Sequence, residues 1–258
     1  MRRIALYSDI HGNLDALDAV YADMAGTGVR ERICLGDLVG YGADPAGVIE
    51  RVRASGDQVV QGNYDRGVGN RLGNCGCHYA TEQARIDGEA SYEFTAKRVG
   101  DVDAAWLAGL LPELRLEHEG VSILLCHGSP RRVNEYLLPN RTDAQLERLA
   151  REAAADVVCV GHVHMPYHRV PAPGLHYVSS GSVGKPKDGD SRACWVELVI
   201  GTEQEALSTA DALVAPVGSA GIFLGVMFHR VPYDVESQVR AITAAGLPAS
   251  FGDALRRG

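Results

Sequence analysis

The sequence predicts an α/β fold in a single domain, and three observations carry that expectation. Short β-type runs alternate with stretches of helical periodicity, and most of the runs stop at a glycine or a polar residue. A chain of 258 residues is long enough to bury a substantial core without being divided. Its hydrophobic content of 46% and charged content of 22% are those of an ordinary soluble globular protein.

The first run, "IALYS" (4–8), leads into Asp9-Ile10-His11-Gly12-Asn13. A helix follows, with Leu14, Leu17, Val20, Tyr21 and Met24 near the 3.6-residue spacing and Asn13 placed to cap it. "RICLG" (32–36) ends at Asp37, and a second helix starts at about Pro45, where proline suits the first turn. "QVVQG" (58–62) ends at Asn63. Three strands with two helices between them read as right-handed βαβ units, hence a parallel sheet. Residues 79–109 are helical in pattern, with breaks expected at Gly88 and Gly100. "VSILLCHG" (121–128) is a buried strand ending in His127, and a helix over roughly 142–154 follows, capped by Thr142 and bearing a Glu147–Arg151 pair. "DVVCVGHVH" (156–164) is a further buried strand ending in histidines. "LHYVSSGSVG" (175–184) and "ACWVELVI" (193–200) are expected to lie side by side, antiparallel. The Ala/Gly/Ser-rich segment 201–221 is ambiguous. "IFLGVMFHRVPYD" gives one more strand, and 234–257 one or two helices broken at Gly246-Leu247-Pro248. No repeat, low-complexity tract or linker interrupts the pattern.

The formal charge of −8, from 25 basic and 33 acidic residues, argues against a broad nucleic-acid surface, which needs clustered Lys and Arg. A small phosphate ligand held through metal ions is compatible with it. No stretch approaches ~20 apolar residues, so no membrane span is expected. The start "MRRIALYSDIHGN" does not have the form of a secretory signal. Cys34, Cys126, Cys159 and Cys194 lie inside apolar runs and read as buried reduced thiols, which fits a cytoplasmic location. The apolar "IFLGVMFHRV" either completes the domain or forms a homo-oligomer surface.

The functional signal is positional. Asp9, His11, Asp37, Asn63, His127, His162 and His164 all fall at or near the carboxyl ends of predicted strands, the rim that forms the ligand crevice in open α/β sheets. Two Asp, one Asn and four His, without a thiolate, suit Mn, Fe, Zn, Ni or Co. Asp9-x-His11 points two donors to one side of an extended segment, and His162-x-His164 does the same from across the pocket. One residue must then hold two ions together; a carboxylate has two oxygens, and Asp37 is the natural bridge.

In this order, "DIH" (9–11), "GDLVG" (36–40), "GNYD" (62–65), "CHG" (126–128) and "GHVH" (161–164) resemble the five motifs of the calcineurin-like metallophosphoesterases. The resemblance covers about residues 1–200. The stretches "GDLVGYGADP", "SSGSVGKPKDGD" and "RVPYD" look like a bacterial and archaeal subgroup of small, single-domain members. It implies two packed, mixed β-sheets flanked by helices, a four-layer sandwich. It also implies two divalent ions, one held by Asp9, His11, Asp37 and His164, the other by Asp37, Asn63, His127 and His162. Two ions ~3.5–4 Å apart share a bridging water that becomes hydroxide near neutrality and attacks phosphorus in line.

Position 64 departs from the family's Gly-Asn-His-Asp, whose histidine, assisted by the aspartate, protonates the leaving alkoxide. Tyr64, a phenol with a pKa near ~10, is a poor general acid at pH 7, and such proton transfer contributes ~10²–10⁴-fold. A phosphodiesterase with weak monoesterase activity is therefore expected, acting on a small phosphate ester, with Asp37, Asn63, His127, Asp65 and Tyr64 as its catalytic positions. Asp65 is left to orient Tyr64 or nearby backbone. His78 is a candidate replacement acid, set against a plain loop histidine. Arg66 and Lys185, with Lys187 and Arg192, are candidate substrate contacts. Cys75-x-Cys77-His78 cannot easily surround a third ion and reads as a structural or redox-inert loop. A dinucleoside polyphosphatase, a phosphomonoesterase or protein phosphatase, and a binding scaffold of the same fold are the rival readings.

Overall fold

Alternation along the strands sorts the side chains into three apolar layers. The computed structural model describes residues 1–208, 211–218 and 221–258. In β1 (Arg2–Tyr7), Ile4 and Leu6 face one way, into the layer between two sheets, while Ala5 and Tyr7 face the helices outside. In β5 (Val121–Cys126), Ile123 and Leu125 enter the same middle layer from the opposite sheet, and Leu124 and Cys126 pack under the outer helix on that side.

The first sheet has six strands in the order β10-β11-β9-β1-β2-β3. It comprises β1, β2 (Glu31–Cys34), β3 (Gln58–Val59), β9 (Ala193–Gly201), β10 (Leu213–Pro216) and β11 (Phe223–Val231). β1, β2 and β3 are parallel, as the βαβ pattern requires, and the other pairings are antiparallel. The second sheet runs β4-β5-β6-β8-β7, with β4 (Glu113–His118), β6 (Val157–Val160), β7 (Pro166–Ala172) and β8 (Leu175–Ser180). β5, β6 and β8 are parallel, and the antiparallel β4 and β7 close its edges.

On the first sheet's outer side, α1 (Leu14–Thr27) is capped by the Asn13 side chain, and α2 (Pro45–Ser55) starts on its proline after Asp44. α3 (Asn63–Gly69), α4 (Glu82–Arg98) and α5 (Asp101–Ala108) follow. α6 (Asp143–Glu152), capped by Thr142, covers the second sheet. The short α7 (Glu203–Ala206) precedes β10, and α8 (Val235–Ala244) and α9 (Ala249–Arg257) pair at the end of the chain.

Three expectations change. β8 and β9 are not neighbours: each is buried along its length in the interior of a different sheet. The segment between them, residues 181–192, is far longer than a hairpin needs and carries the chain from one sheet to the other. Gly88 does not break α4; Tyr79 packs its ring where a Cβ would stand, 2.2 Å from the hydroxyl oxygen. Only Gly100 interrupts, between α4 and α5. Third, β4, β7, β10 and α3 were not evident in the sequence. β7 begins on Pro166 and contains Pro171, tolerable because it is an edge strand. Within the ambiguous segment, Thr209, Ala210, Ser219 and Ala220 lie outside the described residues.

Candidate metal centre

The turns after β1 and β2 are stitched together by backbone. Asp9 N–H donates to Gly36 O at 2.9 Å, His11 N–H to Asp37 O at 3.0 Å and Gly12 N–H to Leu38 O at 2.9 Å. The crossing segment joins them, with Val183 N–H on Ser8 O and Gly184 N–H on Asp9 O. Asp9, His11, Asp37, His162 and His164 all take left-handed backbone, with φ between 49° and 66°. Each such residue costs roughly 1–2 kcal/mol. The strain falls on five of the seven residues the sequence singles out.

Asp9, His11 and His164 bring ligand atoms within 4.8 Å of one another, all buried. His11 Nδ1 faces the Val39 carbonyl at 2.9 Å, and His164 Nδ1 the Lys185 carbonyl at 2.6 Å. A carbonyl only accepts, so Nδ1 carries the proton in both rings. Burial lowers the His11 pKa to about 3 and takes His164 well below its ordinary value. Both rings are therefore neutral, and their bare Nε2 lone pairs face each other at 3.1 Å. Asp9 Oδ1, 3.2 Å from His164 Nε2, is buried with no hydrogen-bond partner. Three electron pairs meeting with no proton among them fit a cation and little else.

Asp37, His127 and His162 form the second such group among the described residues. His127 Nδ1 donates to Leu35 O at 2.7 Å, and His127 Nε2 lies 3.4 Å from Asp37 Oδ2 and 3.1 Å from Asn63 Oδ1. His162 Nε2 is buried without a partner, and burial lowers that ring's pKa to about 3. Burial also works to lower His127, but Asp37 outweighs it and lifts the imidazole to about 9. Asp37 Oδ1 accepts the Tyr64 N–H at 2.8 Å. That leaves Oδ2, which lies 3.8 Å from His11 Nε2 and 3.4 Å from His127 Nε2, facing both groups.

The remaining positions divide. Asp65 is a backbone clamp: its carboxylate accepts the N–H groups of Asp37, Leu38 and Gly62 at 2.8–2.9 Å. Burial, with Asp37 nearby, pushes its pKa up to about 7. Tyr64 is a core residue rather than a catalytic one. It has no exposed surface, its ring lies where a Cβ on Gly40 would stand, and its hydroxyl sits 3.1 Å from Ser91 Oγ. Burial raises this phenol well above 10, so it keeps its proton and is a poor acid at neutral pH. Arg66, exposed on α3, shares a pocket with Asn63, Asn74 and Asn134. His78 is exposed and lines a cleft of about 370 Å³ with Arg132, Asn134 and Tyr136. Lys185 Nζ stands 4.5 Å over the Tyr41 ring, and burial lowers its pKa to about 7. Arg192 pairs with Asp190 at 2.7 Å on the exposed surface and does not join the site.

Sequence reasoning missed three neighbours. Tyr41 meets His11 edge-on at 5.0 Å, Tyr136 packs on His162 at 4.0 Å, and Cys77 touches Asn63. Tyr41 stands inside a motif; Tyr136 and Cys77 come from irregular loops that carry no periodic signal.

Comparison with known proteins agrees with this geometry. A sequence-family model described as a calcineurin-like phosphoesterase superfamily domain matches residues 2–200. An uncharacterized protein of Methanocaldococcus jannaschii is 30% identical over 208 residues, 74% of this chain and 80% of that one. The crystal structure of a metallophosphoesterase from Sphaerobacter thermophilus superposes with a TM-score of 0.70 at 27% identity, covering 99% of this chain and 98% of the other. A hypothetical protein from Pyrococcus horikoshii shares the fold at a TM-score of 0.76 and 19% identity, over 99% and 98% of the two chains.

Proposed function

The chain belongs to the calcineurin-like phosphoesterase superfamily, and on that premise we propose that it is a phosphoesterase dependent on two divalent transition-metal ions, acting preferentially on phosphodiesters. One observation carries the reading: the facing bare nitrogens of His11 and His164, with the unpartnered Asp9 Oδ1 and His162 Nε2 beside them. Asp9, His11, Asp37 and His164 would hold one ion; Asp37, Asn63, His127 and His162 would hold the other. When bound, the pair supplies Lewis acidity and a water acidified towards neutrality, the ordinary means of hydrolysing phosphate esters.

The protein's own groups do the rest. Carbonyls at Val39, Lys185 and Leu35 fix the ring tautomers so that each Nε2 is presented bare or, at His127, becomes so on losing one proton. Asp65 holds the turn that aims Asp37. Lys185, which shares a pocket with His11, and Arg66, which shares one with Asn63, would receive an anionic ester, with His78 on a cleft beside Tyr136. With Tyr64 sealed behind Ser91, a leaving alkoxide of high pKa finds no donor there, and that disfavours simple alkyl monoesters.

The test is metal analysis together with hydrolysis of bis(nitrophenyl) phosphate and nitrophenyl phosphate in Mn²⁺. Two ions per chain and faster diester turnover are expected. Bound metal without turnover of either ester, in any divalent ion, sinks the enzymatic reading in favour of a scaffold.

A further inference from the structure

The loop after α3 belongs to neither donor group, yet it holds Asn63. Asn63 Nδ2 donates to the Cys75 carbonyl at 3.0 Å and to Cys77 Sγ at 3.2 Å. Because a carbonyl only accepts, the first bond settles which way the amide is turned: Nδ2 faces the loop and Oδ1 faces His127 Nε2. The Cys77 sulfur engages the same amide nitrogen. Outer partners of this kind fix a ligand's direction and tune its affinity.

The two thiols are neighbours. Both are free and one residue apart, and Gly76 between them turns the chain at φ 68°. Cys75 Sγ also meets Tyr79 Oη at 3.3 Å. Both cysteines line an open pocket of about 230 Å³ with Tyr79, Arg85 and Tyr92, room enough for a small oxidant.

We propose that Cys77 is a positioning residue for Asn63, and that closing a Cys75–Cys77 disulfide withdraws it and weakens the second ion's site. The inference rests on the reading of Asn63 as a ligand of that ion. Hydrogen peroxide is a sufficient oxidant. One cysteine sulfur attacks a peroxide oxygen, the O–O bond breaks, and a sulfenic acid and one water result. The other sulfur then attacks the sulfenic sulfur: the S–S bond forms, the S–O bond breaks and a second water leaves. Two thiols lose two electrons and two protons in all, and the peroxide becomes two waters. A ring closed across one intervening residue is strained and therefore easily reduced, so a dithiol reverses the change.

The test oxidises metal-free protein with peroxide, desalts it, and titrates it with Mn²⁺ beside the reduced protein, with intact mass read in parallel. The oxidised chain should weigh two hydrogens less and bind its second ion ~10–100-fold more weakly, the first ion being unaffected. Dithiothreitol should restore both readings. Without oxidant, Cys77→Ala should show the same weakening, and Cys77→Ser, which keeps an acceptor, should recover most of it. Cys75→Ser, compared with itself before and after peroxide, should not respond. A disulfide that leaves the second ion as tight, no loss of hydrogens, a Cys75→Ser that responds like the wild type, or a Cys77→Ala with wild-type affinity each overturns the proposal. Fewer than two ions in reduced wild type removes the dinuclear reading itself, and this inference with it.

Discussion

Around Asp9, both imidazoles are braced through Nδ1 by carbonyls and both are neutral near pH 7; around Asp37, His127 is braced in the same way but holds a proton. The first group is thus complete before any ion arrives. The second must shed a proton, and Asn63, proposed above as a further ligand there, is held by a loop that packs against it through two cysteines. Equal numbers of ligands do not make equal sites. What differs is how much of each site the surrounding backbone has already set.

The most damaging change to both sides is Asp37→Ala, because Asp37 Oδ2 faces both groups. Hydrolysis should fall at least ~10³-fold, the several kcal/mol expected of lost charge stabilisation, and metal analysis should show both ions depleted. Next come the single-group variants, His164→Ala and His127→Ala. Each should lose one ion and at least ~10²-fold in rate, beyond the range typical of outer partners. Retention of both ions in either variant would erase the assignment of ligands to two groups.

The pH dependence of binding sharpens the contrast. A proton held at His127 up to about pH 9 must leave before its Nε2 can bind a cation. The second ion's affinity should therefore weaken as pH falls below 9, approaching tenfold per unit, with about one proton released in calorimetry across buffers. The first ion should bind alike between pH 6 and 8, since His11 is already neutral above about 3. His127→Ala should abolish the slope and His164→Ala keep it.

The smallest effect is expected at Tyr64→Phe, which keeps the ring under Gly40 and removes only the hydroxyl beside Ser91. Stability should drop by ~1 kcal/mol and hydrolysis stay within about twofold. A loss of an order of magnitude in diester turnover would return Tyr64 to the chemistry.

Much of this site was legible because its residues sit at predictable stations. "DIH", "GDLVG" and "GHVH" follow strands whose apolar runs are unmistakable, and the strand ends bring Asp9 to His164 and Asp37 to His162. Periodicity could not show which sheet each strand joins. β8 and β9 look like partners in sequence and lie in different sheets, since pairing is decided by the length and path of the connection. Nor could spacing show that the Tyr64 hydroxyl ends at Ser91, or that Cys77 ends at Asn63. Those contacts depend on where α4 and an irregular loop come to rest.

The crossing segment has a consequence for how the molecule comes apart. Its amides at Val183 and Gly184 are tied to the carbonyls of Ser8 and Asp9, at the tip that carries the first donors. Prising the two halves of the sandwich from each other therefore tears the ion cradle, and a filled cradle acts as a rivet between them. Hydrogen exchange at those two amides should slow when cations are supplied, long before any change is visible in the outer helices.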